Sequence, residues 1–185
     1  MGRLNAPWFD TRCVLGEYVL DIDGGIGFVG LLCAKIAGQR RVVSYAADQS
    51  LEPIIRANYA QNAITPALRM KAVMADGGPI TFPVAENVVA SLMQARDIVA
   101  RDVTFDSDPF QTVLRKLRPD VVVMDRDGAE TALLPCPALA SVHSVVVEVY
   151  PHIVEGTATL LGHNLPDPGF ECRQEMRRDV WMERK

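Results

Sequence analysis

Histidine, cysteine and aromatic residues are scarce in this chain, with 3 His and 4 Cys among 185 residues and 6% aromatics. The cysteines, Cys13, Cys33, Cys136 and Cys172, form no CxxC pair, and no Cys/His spacing matches a zinc site. That pattern excludes a disulfide scaffold and a zinc module, and reduced thiols in a cytoplasmic setting are expected. A GxSxG turn and a serine–histidine–acid order are both missing. No apolar run approaches the roughly 20 residues that cross a bilayer. The first residues lack the charge-then-apolar run of a secretory signal, and Ala6 stands where a myristoylation signal needs Ser or Thr. No membrane partner is expected. Basic residues are outnumbered 19 to 23, for a net charge of −4. The one basic cluster, Arg173, Arg177, Arg178, Arg184 and Lys185, reads as a solvated tail, so no nucleic-acid partner is expected.

What is present is a mostly apolar chain, 49% hydrophobic, in which strand and helix patterns alternate. Tyr18–Ile22 reads as a buried strand, and Ile26–Ile36 repeats apolar residues at helical spacing and ends near Gly38. Arg41–Ala46 is a second strand, followed by a helix capped by Ser50 and running to about Asn62. Leu68–Ala75 reads as a third strand. A turn at Gly77-Gly78-Pro79 then lets Ile80–Phe82 pair back as a hairpin. Val84–Arg101 has a weak signal and is expected to be a loop or lid. Val103–Phe105 reads as a strand, and a helix capped by Ser107 with Pro109 in its first turn runs to Arg118. Strands at Val121–Met124 and Val145–Tyr150, short helices at Ala129–Leu134 and Thr157–Asn164, and an edge strand or two complete the chain.

Continuous rather than alternating apolar strands imply burial on both faces, so the expected fold is a single α/β domain with a doubly wound, mostly parallel Rossmann-like sheet. Asp21, Ala46, Ala75 and Asp125 each end an apolar run and should converge on one crevice at the carboxyl ends of the strands.

The most informative stretch is Asp21-Ile22-Asp23-Gly24-Gly25-Ile26-Gly27-Phe28-Val29-Gly30, a strand end running into glycines and then a helix. Such a helix start aims unsatisfied N–H groups and partial positive charge at a ligand. Two cofactors compete for it. Gly25-Ile26-Gly27-Phe28-Val29-Gly30 satisfies GxGxxG, the dinucleotide fingerprint, with Asp48 as the acid for the ribose. The alternative is S-adenosylmethionine, whose ammonium and sulfonium gain from Asp21 and Asp23, whereas a pyrophosphate is repelled by the same carboxylates. Charge favours the methyl donor over a nicotinamide dinucleotide.

Through these residues the chain resembles the FkbM family of methyltransferases, from about Val19 to Phe170. The matching blocks are Val19–Gly30; Arg41–Asn62 with Arg56-Ala57-Asn58-Tyr59-Ala60-Gln61-Asn62; Ala72–Phe82; and Val123-Met124-Asp125-Arg126-Asp127-Gly128-Ala129-Glu130 followed by Val145–Pro151. The resemblance implies a class I methyltransferase fold and S-adenosylmethionine-dependent methylation of an oxygen on a small hydroxylated acceptor such as a sugar or natural product. It implies a cofactor cradle of Asp21, Asp23, Gly24, Gly25, Gly27, Ala46, Asp48, Val73 and Asp125. The chain departs from the family at Asp23, in place of the first glycine of the turn; at Ala46, in place of the acid for the ribose hydroxyls; and at Asp127, in place of Glu. Those departures open a second reading, a protein that keeps the fold without catalysis.

Asp125, Asp127 and Glu130 crowd one turn, and Glu148 and His152 flank the end of the next strand. Like charges in a shared crevice raise one another's pKa, which suits a general base for a hydroxyl acceptor. Asp125 is the first candidate, with Glu148 or His152 the second. Asp-x-Asp-Gly matches half of a calcium loop, but the third acid and distal Glu are missing, so no metal is expected. Only seventeen residues precede the first strand, so a second subunit is expected to help cover the acceptor site as a homodimer.

Overall fold

The computed structural model describes residues 15–85, 100–125, 130–148, 169–176 and 179–184. The strands are β1 (Val19–Ile22), β2 (Val42–Tyr45), β3 (Ala67–Arg69), β4 (Ala72–Met74), β5 (Ile80–Ala85), β6 (Ala100–Phe105), β7 (Ser107–Pro109), β8 (Val121–Met124), β9 (Ser144–Glu148), β10 (Phe170–Met176) and β11 (Asp179–Arg184). The helices are α1 (Phe28–Ala37), α2 (Glu52–Gln61), α3 (Phe110–Leu117) and the single turn α4 (Glu130–Leu133).

Seven strands form the main sheet in the order β10-β11-β9-β8-β1-β2-β3. From β9 to β3 every neighbouring pair is parallel; β11 runs antiparallel to β9, and β10 antiparallel to β11. The chain winds outward from β1 through β2 to β3, then returns to β8 on the other side of β1. That reversal opens a crevice beyond the carboxyl ends of β1 and β8.

Both faces of the sheet are covered, which is why its strands read as unbroken apolar runs. On one face Leu20, Ile22, Val122, Met124, Val145 and Val147 pack with Phe110, Leu114, Leu133, Leu134 and Leu139. On the other, Val19, Val121, Val123 and Val146 meet Cys33, Ala34 and Ala37 of α1. Among the described residues no helix is long and apolar enough to cross a membrane.

Four local expectations are corrected. Leu68–Ala75 is not one strand: β3 pairs with β2, whereas β4 pairs with β7 in a separate sheet, with a turn at Lys71 between them. Ile80–Phe82 does not pair back on that segment but belongs to β5, which is antiparallel to β6. Ser107 is no helix cap, because it lies in β7 and its hydroxyl donates to Gly78 O at 2.6 Å. Asp48, not Ser50, caps the turn before α2, since its carboxylate accepts from the Ser50 N–H and hydroxyl at 2.9 and 2.7 Å. Thr157–Asn164 and most of Val84–Arg101 lie outside the described residues.

Helix α3 ends on Arg118 in the left-handed region, at φ 47°, with its N–H bonded to Leu114 O. A side chain there costs energy that glycine avoids. Arg118→Gly is therefore expected to stabilise the fold by about 0.5–1 kcal/mol, a rise of about 2–3 °C in Tm by calorimetry.

Candidate functional site

The centre of the crevice is Asp21. It is the third residue of β1 and faces α1 and α2, because its strand alternates Leu20 and Ile22 toward the opposite core. It is 1% exposed. The Ser44 hydroxyl and the Gly30 N–H donate to its carboxyl, while Oδ2 has no hydrogen-bond partner. Tyr59 of α2 in turn donates to Ser44 Oγ at 3.3 Å. Burial, reinforced by the neighbouring charge of Asp23, pushes the Asp21 carboxyl up to about 7 against the pull of those two donors. Burial likewise pushes the Tyr59 phenol up to about 12.

The glycine turn folds directly over this carboxyl. A Cβ on Gly24 would lie 2.5 Å from Asp21 Oδ2, and one on Gly30 would lie 2.9 Å from it. Asp23 opens the turn at φ 64°, a conformation Asp tolerates better than most residues. Its N–H donates to Tyr45 O at 2.9 Å, and Gly25 N and Gly27 N bond to Asp23 O and Gly24 O. Asn58 of α2 ties the turn down by donating to Ile26 O at 2.9 Å. The Arg56–Asn62 block thus supplies, through Asn58 and Tyr59, the floor of the glycine turn.

Register places the other acids. Ile22 is opposite Met124, and Met124 is opposite Val147, so Asp23, Asp125 and Glu148 follow at the same end of neighbouring strands. Asp125 N donates to Ile22 O at 3.3 Å, which continues the ladder by one step. Glu148 is paired in register with Asp179 of β11. His152 and Asp127 lie outside the described residues, and Glu130 begins α4. Among the described residues no group of three or more His, Cys, Asp or Glu is arranged to hold a metal.

Ala46 sits in an apolar cluster with Leu31, Ile55 and Tyr59 and is buried. The cleft wall is supplied by Ala47 instead. That cleft is a shallow one lined by Ile22, Asp23, Tyr45, Ala47, Lys71, Ala72 and Val73. Ala75 follows β4, outside the main sheet, so of the expected strand-end residues only Asp21, Ala46 and Asp125 share its edge.

A network that the sequence did not reveal fixes this wall. Arg69 donates to Tyr45 Oη at 2.6 Å, Tyr45 donates to Asp108 Oδ2 at 3.1 Å, and Lys71 Nζ meets Asp108 Oδ1 at 3.0 Å. Burial would raise the Asp108 carboxyl, but the bonds from Lys71 and Tyr45 and the nearby cations outweigh it and hold it below its usual range. The network crosses β2, β3 and β7, and it locks the small β4–β7 sheet onto the edge of the main one. No spacing rule links Tyr45 to Asp108, so only tertiary contact discloses it.

The strand order, with one antiparallel strand near the far edge and a glycine turn after β1, is that of class I S-adenosylmethionine-dependent methyltransferases. Solved structures agree. A proposed rRNA methylase of Clostridium thermocellum matches 96% of this chain and 92% of its own at TM-score 0.59 and 12% identity. A proposed methyltransferase of Streptococcus mutans in complex with SAH matches 94% of this chain and 92% of its own at TM-score 0.56 and 10% identity. A ribosomal protein L11 methylase of Lactobacillus delbrueckii subsp. bulgaricus matches 97% of this chain and 74% of its own at TM-score 0.54 and 15% identity. Neither a family model nor a curated protein sequence matches the chain.

These neighbours correct one expectation, that of a small-molecule acceptor with nucleic acid excluded. The fold is shared with proteins described as rRNA and tRNA methylases. The net charge of −4 is a sum over the chain, whereas phosphate contact depends on local basic surface, so an acidic total does not exclude a nucleic-acid partner.

The residues fit a cationic methyl donor at the turn. A buried carboxyl with an unmatched oxygen lies under a backbone cradle that side chains at positions 24 and 30 would fill. At the ribose end the fit is incomplete, since position 46 is a methyl and Asp48 is engaged as a cap.

Proposed function

We propose that this chain is an S-adenosylmethionine-dependent methyltransferase whose donor seats on the turn Asp23–Gly27. The observation that carries this reading is the Asp21 carboxyl, fully buried, with Oδ2 unmatched, directly beneath that turn. A group so placed gains from a positive charge overhead and loses from a phosphate. The bound donor supplies an electrophilic methyl on a sulfonium. The chain supplies orientation, through a turn anchored by Asn58, and exclusion of water by the packed floor. Asp125 is proposed as the group that takes the acceptor's proton, with Glu148 or His152 as the second choice. The FkbM-like blocks remain a proposal at the family level. The structural neighbours include proteins described as acting on rRNA, tRNA and a ribosomal protein, which makes components of the translation machinery the first acceptors to test.

A second reading keeps the fold without catalysis. It is favoured by Ala46, whose methyl faces Leu31, Ile55 and Tyr59 where a ribose acceptor would be needed. Titration calorimetry with S-adenosylmethionine and S-adenosylhomocysteine separates the two. Saturable binding at micromolar to submillimolar ligand is expected; no heat at millimolar ligand would leave only the second reading.

A further inference from the structure

Asp21 has an arrangement that positioning alone does not require. A carboxylate that serves only to hold a turn is satisfied by having its oxygens bonded. Here one oxygen accepts nothing, although the group is 1% exposed and a bare buried charge is costly. The groups facing it can be named element by element. Asp23, which opens the glycine turn just beyond its own strand, adds negative charge. Ser44, its register partner on β2, is a neutral donor, and Val123, its partner on β8, is apolar. From α1 comes the Gly30 N–H, and from α2 comes the Tyr59 phenol, which is neutral at physiological pH. Among the described residues no Lys, Arg or His acts on it. The pocket is therefore built for a neutral carboxylic acid when empty and for a carboxylate once a cation lies above it.

We propose that Asp21 carries a proton in the ligand-free protein and gives it up when a positively charged ligand seats on the glycine turn, so that donor binding and proton release are one coupled event. The proposal rests on the donor site described above and adds its regulation. The balance is simple: the O–H bond at Asp21 breaks, the proton leaves to solvent, and the new carboxylate compensates the ligand's positive charge. The direction of the acid's pKa, raised by burial, agrees with this geometry. The charge that drives the release is the sulfonium or the α-ammonium of the ligand, and the two ligands tell them apart, since S-adenosylhomocysteine keeps the ammonium and lacks the sulfonium.

The consequence is a pH-gated affinity. By linkage, each proton released on binding tightens the complex up to tenfold per pH unit. Below neutrality the donor must displace the proton; above it the carboxylate is already formed.

The experiment is calorimetry of S-adenosylmethionine binding to the unmodified chain at pH 6 to 8.5, in buffers of low and high ionisation enthalpy such as phosphate and Tris. Proton release of about half to one per site is expected between pH 6 and 7, vanishing above pH 8, with affinity rising roughly tenfold between pH 6 and 7.5. The same series with S-adenosylhomocysteine assigns the driving charge: a smaller release points to the sulfonium, an equal one to the ammonium. Asp21→Asn should lose the release while keeping the fold, checked by its circular dichroism. Binding with the same heat in every buffer overturns the proposal and leaves the donor site intact. No binding at any pH overturns the donor site as well. Release that survives in Asp21→Asn overturns the assignment to Asp21.

Discussion

Asp21→Asn is expected to abolish most of the pH dependence of folding in the ligand-free protein. Burial, reinforced by the neighbouring charge of Asp23, raises its folded pKa from the ordinary carboxylate range to about 7. Below pH 4 both native and unfolded chains hold the proton, and the group contributes no slope. Between about pH 4 and 7 the native state keeps a proton that the unfolded state has lost, so stability falls as pH rises. Above pH 7 both are ionised, and the loss levels off. At about 1.4 kcal/mol per unit, the wild type should lose about 2–3 kcal/mol between pH 5 and pH 8 through this group. Asn keeps the shape and an acceptor for Ser44 and Gly30 without the charge. Urea unfolding at pH 5 and pH 8 checks it; parallel pH profiles for the two proteins would refute the assignment of that slope to Asp21.

Gly30→Ala is the second large effect. The added methyl would fall on Ser44 Oγ, 2.7 Å from Tyr59 Oη and 2.9 Å from Asp21 Oδ2. These are three polar side chains from β1, β2 and α2 in one buried cluster, so none can yield without breaking a bond to another. Overpacking of this kind costs about 3 kcal/mol. Gly25→Ala is the control. It has open space but sits at φ 54°, so its penalty is conformational and about 1 kcal/mol. Adding Ser44→Ala to Gly30→Ala should recover 1 kcal/mol or more, because the methyl then has room. Chemical unfolding of the single and double variants gives the coupling directly, and strict additivity would show that the clash is relieved elsewhere.

Strand-level features were readable because burial on both faces leaves a continuous apolar signature. The runs over β1, β2, β8 and β9 stood out, and so did α1, bounded by the glycine turn and Gly38. The segment from Leu68 to Ala75 misled because its apolar run is unbroken, while the decision to split it belongs to partners far along the chain, β2 for one half and β7 for the other. Ser107 and Ser50 misled for a related reason. Each is a good cap by type, but a hydroxyl caps only if nothing better competes for it. Gly78 O takes Ser107, and Asp48 does the capping before α2.

The candidate site divides the same way. That an acid precedes a glycine turn, and that such a pair suits a cation, is visible in residues 21–30 alone, because conformational freedom and charge are local properties. What the acid experiences is not local. Gly30, Ser44, Val123 and Tyr59 come from four separate elements, and only their packing removes water from Asp21 and leaves one oxygen unmatched. The same holds for the Arg69–Tyr45–Asp108–Lys71 network on the cleft wall. Composition and periodicity determined the layers and the place of the turn. Tertiary structure decided solvation, and solvation sets whether a carboxyl is charged.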